Sequence, residues 1–540
     1  MTPDRVLVNG RIWTGDPRRP EAEAVAIWRE WIVAVGDTEE IRRLAGPRTA
    51  LLDLDGRRVL PGFHDSHLHF PQSGPQFPRA WLKEVADEAA FGEHLRALDR
   101  QLPPGHWLLG GGWDHDRTFG GQLPTAALLD RYVSNRPVFL TRYDGHSAVV
   151  NSLVLQQAGI TANTPDPAGG EIVRDPLTGQ PTGVLRDRAM GLVAPLIPAA
   201  PAEERAAAIE YSLQEARRMG VTSMEAMLGG EAEECADLLR ACQQWEREGR
   251  LTARIGFYWP LEDWKALAHL GIAGNFGGDR LRLRGVKGFL DGSLGSSTAW
   301  FWEPYLHEPT HCGLPVVDLA KLREDLLGAD RAGLQVAIHA IGDRAVSELL
   351  DLYAEVAVEN GPRDRRWRVE HAQHLRPVDL DRFQALGVIA SMQPYHAIDD
   401  GGWAEGRIGA DRCRWSYAWR SLLDRGATVC FGSDWSVAPL SPLAGIDAAV
   451  NRRTLDGKHP HGWFPEQRIR VDQALHAYTW AAAQATFMEQ ERGALRPGYR
   501  ADLVVLSQDL LEAENQDRIA ETEVVLTLVG GEIVYTAPQW

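Results

Sequence analysis

Cysteine is scarce in this chain. Its 540 residues include five, Cys235, Cys242, Cys312, Cys413 and Cys430, an odd number with no CxxC spacing. That argues against a disulfide framework and suits free thiols in a reducing compartment. Long apolar runs are missing too: no stretch is long enough to span a bilayer, and the opening MTPDRVLVNGRIWTGD lacks a basic region followed by an apolar one. A cytoplasmic protein with no membrane partner is expected. Positive charge is in deficit, with 57 Lys and Arg against 74 Asp and Glu and a net charge of −17. A broad electropositive surface for phosphate backbones is therefore not expected, nor is nucleic acid as a partner. What the chain has is core: 44% hydrophobic and 24% charged residues, a globular profile.

One local pattern recurs in the second half: an amphipathic helix, a glycine, a short apolar strand, then polar residues able to do chemistry. Residues 202–219 place Ile209, Leu213 and Ala216 on one helical face, Gly220 supplies a left-handed turn, and VTSMEAM follows as a strand. The same reading applies at Gly333, Gly387 and Gly426. Nearly continuous apolar strands alternating with helices imply a parallel sheet covered by helices, either open or closed. His339, His371 and Asp434 decide between the two, because each lies at the C-terminal end of a different strand. In a closed barrel those ends converge on one mouth, whereas an open sheet would string them along an edge.

The expected architecture is thus α/β, a (β/α)₈ TIM-like barrel over residues 61–484. Its strands are expected at 58–64, 221–226, 252–259, 283–290, 334–339, 366–371, 388–394 and 428–434. Far more chain lies between the first two strands than a βα loop needs. A large insertion after strand 1, at about residues 72–205, follows. Residues 1–60 and 485–540 read as short strands, too few at either end to close a core alone, and are expected to join as one small composite β-sandwich.

In LPGFHDSHLHF, His67 and His69 alternate at strand period two and point to the same side, where two imidazoles can serve one divalent ion. His64 reads as a structural or supporting histidine. His339 in VAIHAIGD and His371 in RVEHAQH each follow an apolar β-run, and His374 reads as a surface or supporting residue. Asp434, ending the eighth strand in CFGSDW, is assigned two roles, metal ligand and proton carrier. Lys287, in RLRGVKGFLDGS, is open to two readings. Nearby cations would leave it a neutral amine able to form a carbamate that bridges two metals; otherwise it is a substrate anchor or an ordinary snorkelling side chain.

Together with GGGWDHD at 110–116, DGHSAVVNS at 144–152, VKGFLDGSLGSSTA at 286–299, HAIGD at 339–343, EHAQH at 370–374, SMQPYH at 391–396, GSDWSV at 432–437 and PGYRADLVVL at 497–506, these motifs resemble the amidohydrolase superfamily. Within it, the chain is similar to the amidohydrolase family 3, YtcJ-like branch that includes N-substituted formamide deformylases. The resemblance implies a distorted barrel with a composite β-sandwich and a centre of one or two divalent ions, usually zinc. By position the ligands are His67, His69, Lys287, His339, His371 and Asp434, with Lys287 carbamylated. His64 departs from the family pattern, where an apolar residue or asparagine is common.

The expected activity is hydrolysis of a C–N bond in an amide, formamide or carbamate, with Asp434 and Lys287 as the catalytic residues. Trp113, Asp144, His146, Tyr395 and His396 are expected to bind a small-molecule substrate, an uncharged or hydrophobic amide. Trp300, Trp302, Trp403 and Trp435 are weaker candidates for aromatic walls. A homodimer is left open. Two rivals stand beside this reading, a mononuclear zinc deaminase of a cyclic amidine and a non-catalytic small-molecule-binding relative; metal counting separates the first and turnover the second.

Overall fold

The computed structural model describes residues 2–71, 79–230 and 232–540. Eight parallel strands pair in chain order: β1 (Phe63–Leu68), β2 (Val221–Met227), β3 (Arg254–Pro260), β4 (Leu281–Phe289), β5 (Gln335–Ala340), β6 (Arg368–His371), β7 (Ile389–Met392) and β8 (Val429–Phe431). The seam between β8 and β1 is drawn together just past the strand ends, where Asp434 N donates to His67 O and His69 N to Trp435 O, both at 2.7 Å. Gly432 makes this approach feasible, since a Cβ there would lie 2.5 Å from His67 N. The sheet is a nearly closed barrel, as the placement of His339, His371 and Asp434 requires.

Helices cover its outside for the reason read from the pattern. Helix Ala202–Arg218 buries Ile209, Leu213 and Ala216, and Gly220 turns the chain into β2 with φ +73°. Among the described residues no helix is long and apolar enough to cross a membrane.

One strand assignment needs correction. Residues 58–64 do not form a single barrel strand: Arg58–Pro61 belongs to another sheet, and β1 begins at Phe63. The chain changes sheets at Gly62, which packs where a Cβ would be 2.3 Å from Thr222 Oγ1. The apolar run through Val59, Leu60 and Phe63 hid the break, and the polar HDSH stretch is wholly buried.

The second sheet orders Glu532–Thr536, Val524–Val529, Leu503–Leu506, Arg58–Pro61, Arg11–Trp13 and Glu21–Ala22, so both termini contribute to it. A four-stranded sheet of Trp31–Gly36, Ala24–Trp28, Arg5–Val8 and Ala50–Asp53 shares its core, where Leu7, Val25 and Ile27 join Val59, Leu503 and Leu526. Between β1 and β2 lies a six-stranded sheet running from Gly170–Arg174 through Pro181–Asp187, Ser147–Val150, Val138–Arg142 and Leu108–Trp113 to Ala80–Trp81. Residues 72–78, where the insertion is expected to start, lie outside the described residues.

Candidate metal centre

The C-terminal ends of β1, β5, β6 and β8 bring their histidines and aspartate together. The His67 and His69 rings are 5.7 Å apart, His67 and His371 4.7 Å, and His371 and His339 4.5 Å, centre to centre. Asp434 Oδ1 lies 3.1 Å from His69 Nε2 and 3.5 Å from His67 Nε2, while its Oδ2 lies 3.1 Å from His396 Nε2. Two sets of three ligand atoms result, His67–His69–Asp434 and His371–His396–Asp434, each within 4.8 Å. Asp434 is common to both.

Each imidazole is oriented by a bond on its other nitrogen, which fixes the tautomer. His67 Nδ1 donates to Glu370 Oε2 at 2.5 Å, His69 Nδ1 to Met227 O at 3.2 Å and His371 Nδ1 to Gln393 Oε1 at 2.8 Å. His339 Nε2 donates to Gly292 O at 3.0 Å. Burial, reinforced by the Lys287 charge, pushes His67 down to about 4, and burial beside other histidines drives His339 and His371 well below their ordinary value. These rings are neutral at physiological pH, the form that binds a metal. Burial opposes ionisation of Asp434, but the hydrogen bond from His396 and the other imidazoles close by outweigh it and keep the carboxylate charged.

Lys287 is 1% exposed, and burial lowers its amine to about 8 despite Glu370 and Asp434 nearby. Its Nζ and His67 Nε2 are buried with no hydrogen-bond partner among the described residues. Orphaned polar atoms of this kind cost free energy unless something fills the gap. A divalent cation held by neutral imidazoles and a carboxylate, with Lys287 as a carbamate, fits this donor set.

The remaining candidates divide. His146 reaches the centre, its ring 4.8 Å from His339, and its Nδ1 meets Asp187 Oδ1 at 2.7 Å. Asp144 is occupied by Arg142 Nη1 at 2.6 Å and by the hydroxyls of Ser293 and Ser296. Tyr395 is half-buried on helix Pro394–Asp400, one residue from His396, which sits against Asp434 itself. Trp113 is not brought to the mouth: it is fully buried in the core of the inserted sheet, with its indole N–H spent on Leu140 O at 2.8 Å. This is an ordinary packing role for an aromatic in a strand. Trp300 and Trp302 lie under Arg344, and Trp435 packs 6.1 Å from Tyr211. His64 is a supporting residue, bonded to Glu225 Oε1 at 2.8 Å. His374 is buried rather than exposed, held by Ser416 Oγ at 2.6 Å.

Sequence reasoning passed over Glu370 and Arg368. They alternate on β6 and so share a face. Arg368 donates to Glu370 Oε1 at 2.7 Å, Ser66 O at 2.6 Å, Ser391 Oγ at 2.9 Å and Tyr258 OH at 3.0 Å, reaching β1, β3 and β7. Bonds between strands so far apart in the order run through the barrel's interior. The signal was present as two opposite charges spaced by two in a short buried strand. A third acidic and histidine cluster, Asp114–His115–Asp116, is already served by Arg407, whose Nη2 lies 2.9 Å from both Asp116 oxygens, and by Arg142.

A cavity of about 390 Å³ opens beside His69, lined by Phe70, Met227, Leu228, Cys235 and Leu238, with Arg205 and Glu234 at its edge.

Comparison with known proteins agrees with this architecture. The model of the amidohydrolase family matches residues 50–535. Protein LONG AFTER FAR-RED 3 of Arabidopsis thaliana is 39% identical, covering 98% of this chain and 91% of its own. Putative amidohydrolase YtcJ of Bacillus subtilis is 31% identical over 97% and 98%. The N-substituted formamide deformylase of Arthrobacter pascens is 28% identical over 98% of both. Among solved structures, an uncharacterized metal-dependent hydrolase from Pyrococcus horikoshii superposes with a TM-score of 0.75 at 29% identity, over 94% of this chain and 98% of that one.

Proposed function

The chain belongs to the amidohydrolase family, and on that premise we propose that it is a metal-dependent hydrolase cleaving a C–N bond of an amide, N-substituted formamide or carbamate. The observation that carries the reading is the pair of ligand sets sharing Asp434, with Lys287 Nζ and His67 Nε2 orphaned beside them. His67, His69, Lys287 as its carbamate, His339, His371 and Asp434 would hold one or two zinc ions, and His396 is a further donor. When bound, such an ion supplies Lewis acidity and brings the pKa of water toward about 7.

The chain's own groups do the rest. Asp434, held between His69 and His396, takes a proton at a carboxylate oxygen from the attacking water and returns it to the departing nitrogen. A C–O bond forms, the C–N bond breaks, and the amine leaves neutral. Glu370, Gln393 and the carbonyls of Met227 and Gly292 hold the imidazoles still while this happens. Phe70, Met227, Leu228 and Leu238 in the cavity beside His69 support a hydrophobic substituent on the substrate. The name of the Arthrobacter relative adds support for the formamide class.

The test is turnover by zinc-loaded protein of a panel of N-alkyl and N-aryl formamides, acetanilides, carbamates and adenine, read as amine or ammonia released. Amine release from at least one amide or carbamate, with a loss of about 10²–10⁴-fold in kcat for Asp434→Asn, is expected. Ammonia from adenine alone, or no turnover at all, would replace this reading with one of its rivals.

A further inference from the structure

His146 and Asp187 belong to neither ligand set, yet they stand against them. The His146 ring extends the row His69–His67–His371–His339 at its far end, 4.8 Å from His339. It is fixed three ways: Nδ1 donates to Asp187 Oδ1 at 2.7 Å, the backbone N donates to Asp144 Oδ1 at 3.2 Å, and its carbonyl accepts from Asp187 N at 2.9 Å. Nε2 has no hydrogen-bond partner among the described residues.

Asp187 holds this arrangement at a local cost. Its backbone sits at φ +45°, ψ −121°, the conformation of the first central residue of a type II′ turn, which glycine adopts freely and L side chains resist. Its carboxylate is 4% exposed, and Oδ2 is buried with no hydrogen-bond partner. Local structure alone favours glycine at this position. An aspartate in such a conformation points to a use for its carboxylate elsewhere. Gly292 shows how closely the two units are built together. Its carbonyl accepts from His339 Nε2, while a Cβ on it would fall 2.9 Å from Asp187 Oδ2 and 1.9 Å from Thr298 Oγ1.

We propose that Asp187 is a positioning residue that holds His146 so that Nε2 meets the amide group of the substrate. The proposal rests on the reading of the chain as an amide hydrolase. Asp187 fixes which imidazole nitrogen faces the substrate, and His146 makes the contact. No bond is made or broken at either residue.

Asp187→Gly separates this role from a structural one, because it removes the carboxylate and the backbone strain together. Its melting temperature should equal or exceed that of the wild type. With the panel amide that the wild type turns over fastest, kcat should fall about 100-fold, the usual cost of one lost transition-state hydrogen bond, while KM changes little. His146→Ala should lose a similar factor, and the double variant should lose no more than either single one, since the pair acts as a unit. In selectively ¹⁵N-histidine-labelled protein, adding formanilide should shift the His146 Nε2 resonance, assigned by its loss in His146→Ala, and should leave it unmoved in Asp187→Gly. Asp187→Gly with wild-type kcat, single losses that multiply in the double variant, or a resonance indifferent to formanilide in the wild type would each overturn the proposal. Absence of amide turnover by the wild type is a different outcome: it sinks the hydrolase reading, and the resonance then decides alone whether His146 contacts an amide.

Discussion

Lys287 sits where an ammonium is hardest to keep. Burial lowers its amine to about 8, so roughly a tenth is neutral at pH 7 and roughly nine-tenths at pH 9. Only the neutral amine adds carbon dioxide. At a fixed concentration of dissolved carbon dioxide, zinc reconstitution of the metal-free protein should therefore be faster at pH 9 than at pH 7. Lys287→Arg keeps a cation but cannot form the carbamate. Its zinc content should fall below that of the wild type, and native mass spectrometry should lose the extra carboxyl group expected on the wild-type chain. Unchanged zinc in Lys287→Arg would remove the residue from the ligand set. At this scale the sequence was informative wherever a motif and a strand end coincided, as for His67, His69, His371 and Asp434. His396 was legible only as a pocket candidate. It lies in the first turn of a helix that Pro394 opens, so nothing in its local pattern says that its ring turns back onto Asp434.

Among the elements, β6 carries a set of buried polar connections across the barrel. Arg368 and Glu370, both fully buried, join it to β1, β3 and β7. Replacing Arg368 with Leu strips Glu370 of its guanidinium partner, and should destabilise the protein by about 3–5 kcal/mol in urea unfolding. It should also loosen His67, whose Nδ1 relies on the same carboxylate, so zinc affinity should drop alongside stability. Seven of the eight strands were legible as apolar runs set off by glycine or polar residues. The first was not. Its residues His64, Asp65, Ser66 and His67 are polar yet buried, so burial there does not follow hydrophobicity, and the apolar residues just before them belong to a neighbouring sheet. Hydrophobic periodicity reports packing, and it fails where a strand is paid for by a site.

Across the whole molecule, Asp502 ties the sandwich to the barrel. It accepts from Arg254 Nε at 2.8 Å and Nη2 at 2.9 Å, and Arg254 opens β3. Burial would raise its pKa, but the Arg254 charge and hydrogen bonds prevail and hold it at about 2. A carboxylate depressed in the folded state contributes stability above its unfolded pKa, and that contribution fades as pH falls from about 4 to about 2. For this residue it amounts to about 2 kcal/mol. Urea midpoints should decline over that window, and Asp502→Asn should be less stable at pH 7 but decline less steeply below pH 4. An identical acid limb in the variant would place the sensitivity elsewhere.

The bonds from Asp434 N to His67 O and from His69 N to Trp435 O make residues of the proposed ligand set the clasp of the cylinder. On that proposal, grip on a cation and closure of the ring are one event. Chelation should quicken solvent exchange of the Asp434 and His69 amide protons ahead of those in β4 and β5, and the barrel should begin to come apart where its chemistry is done.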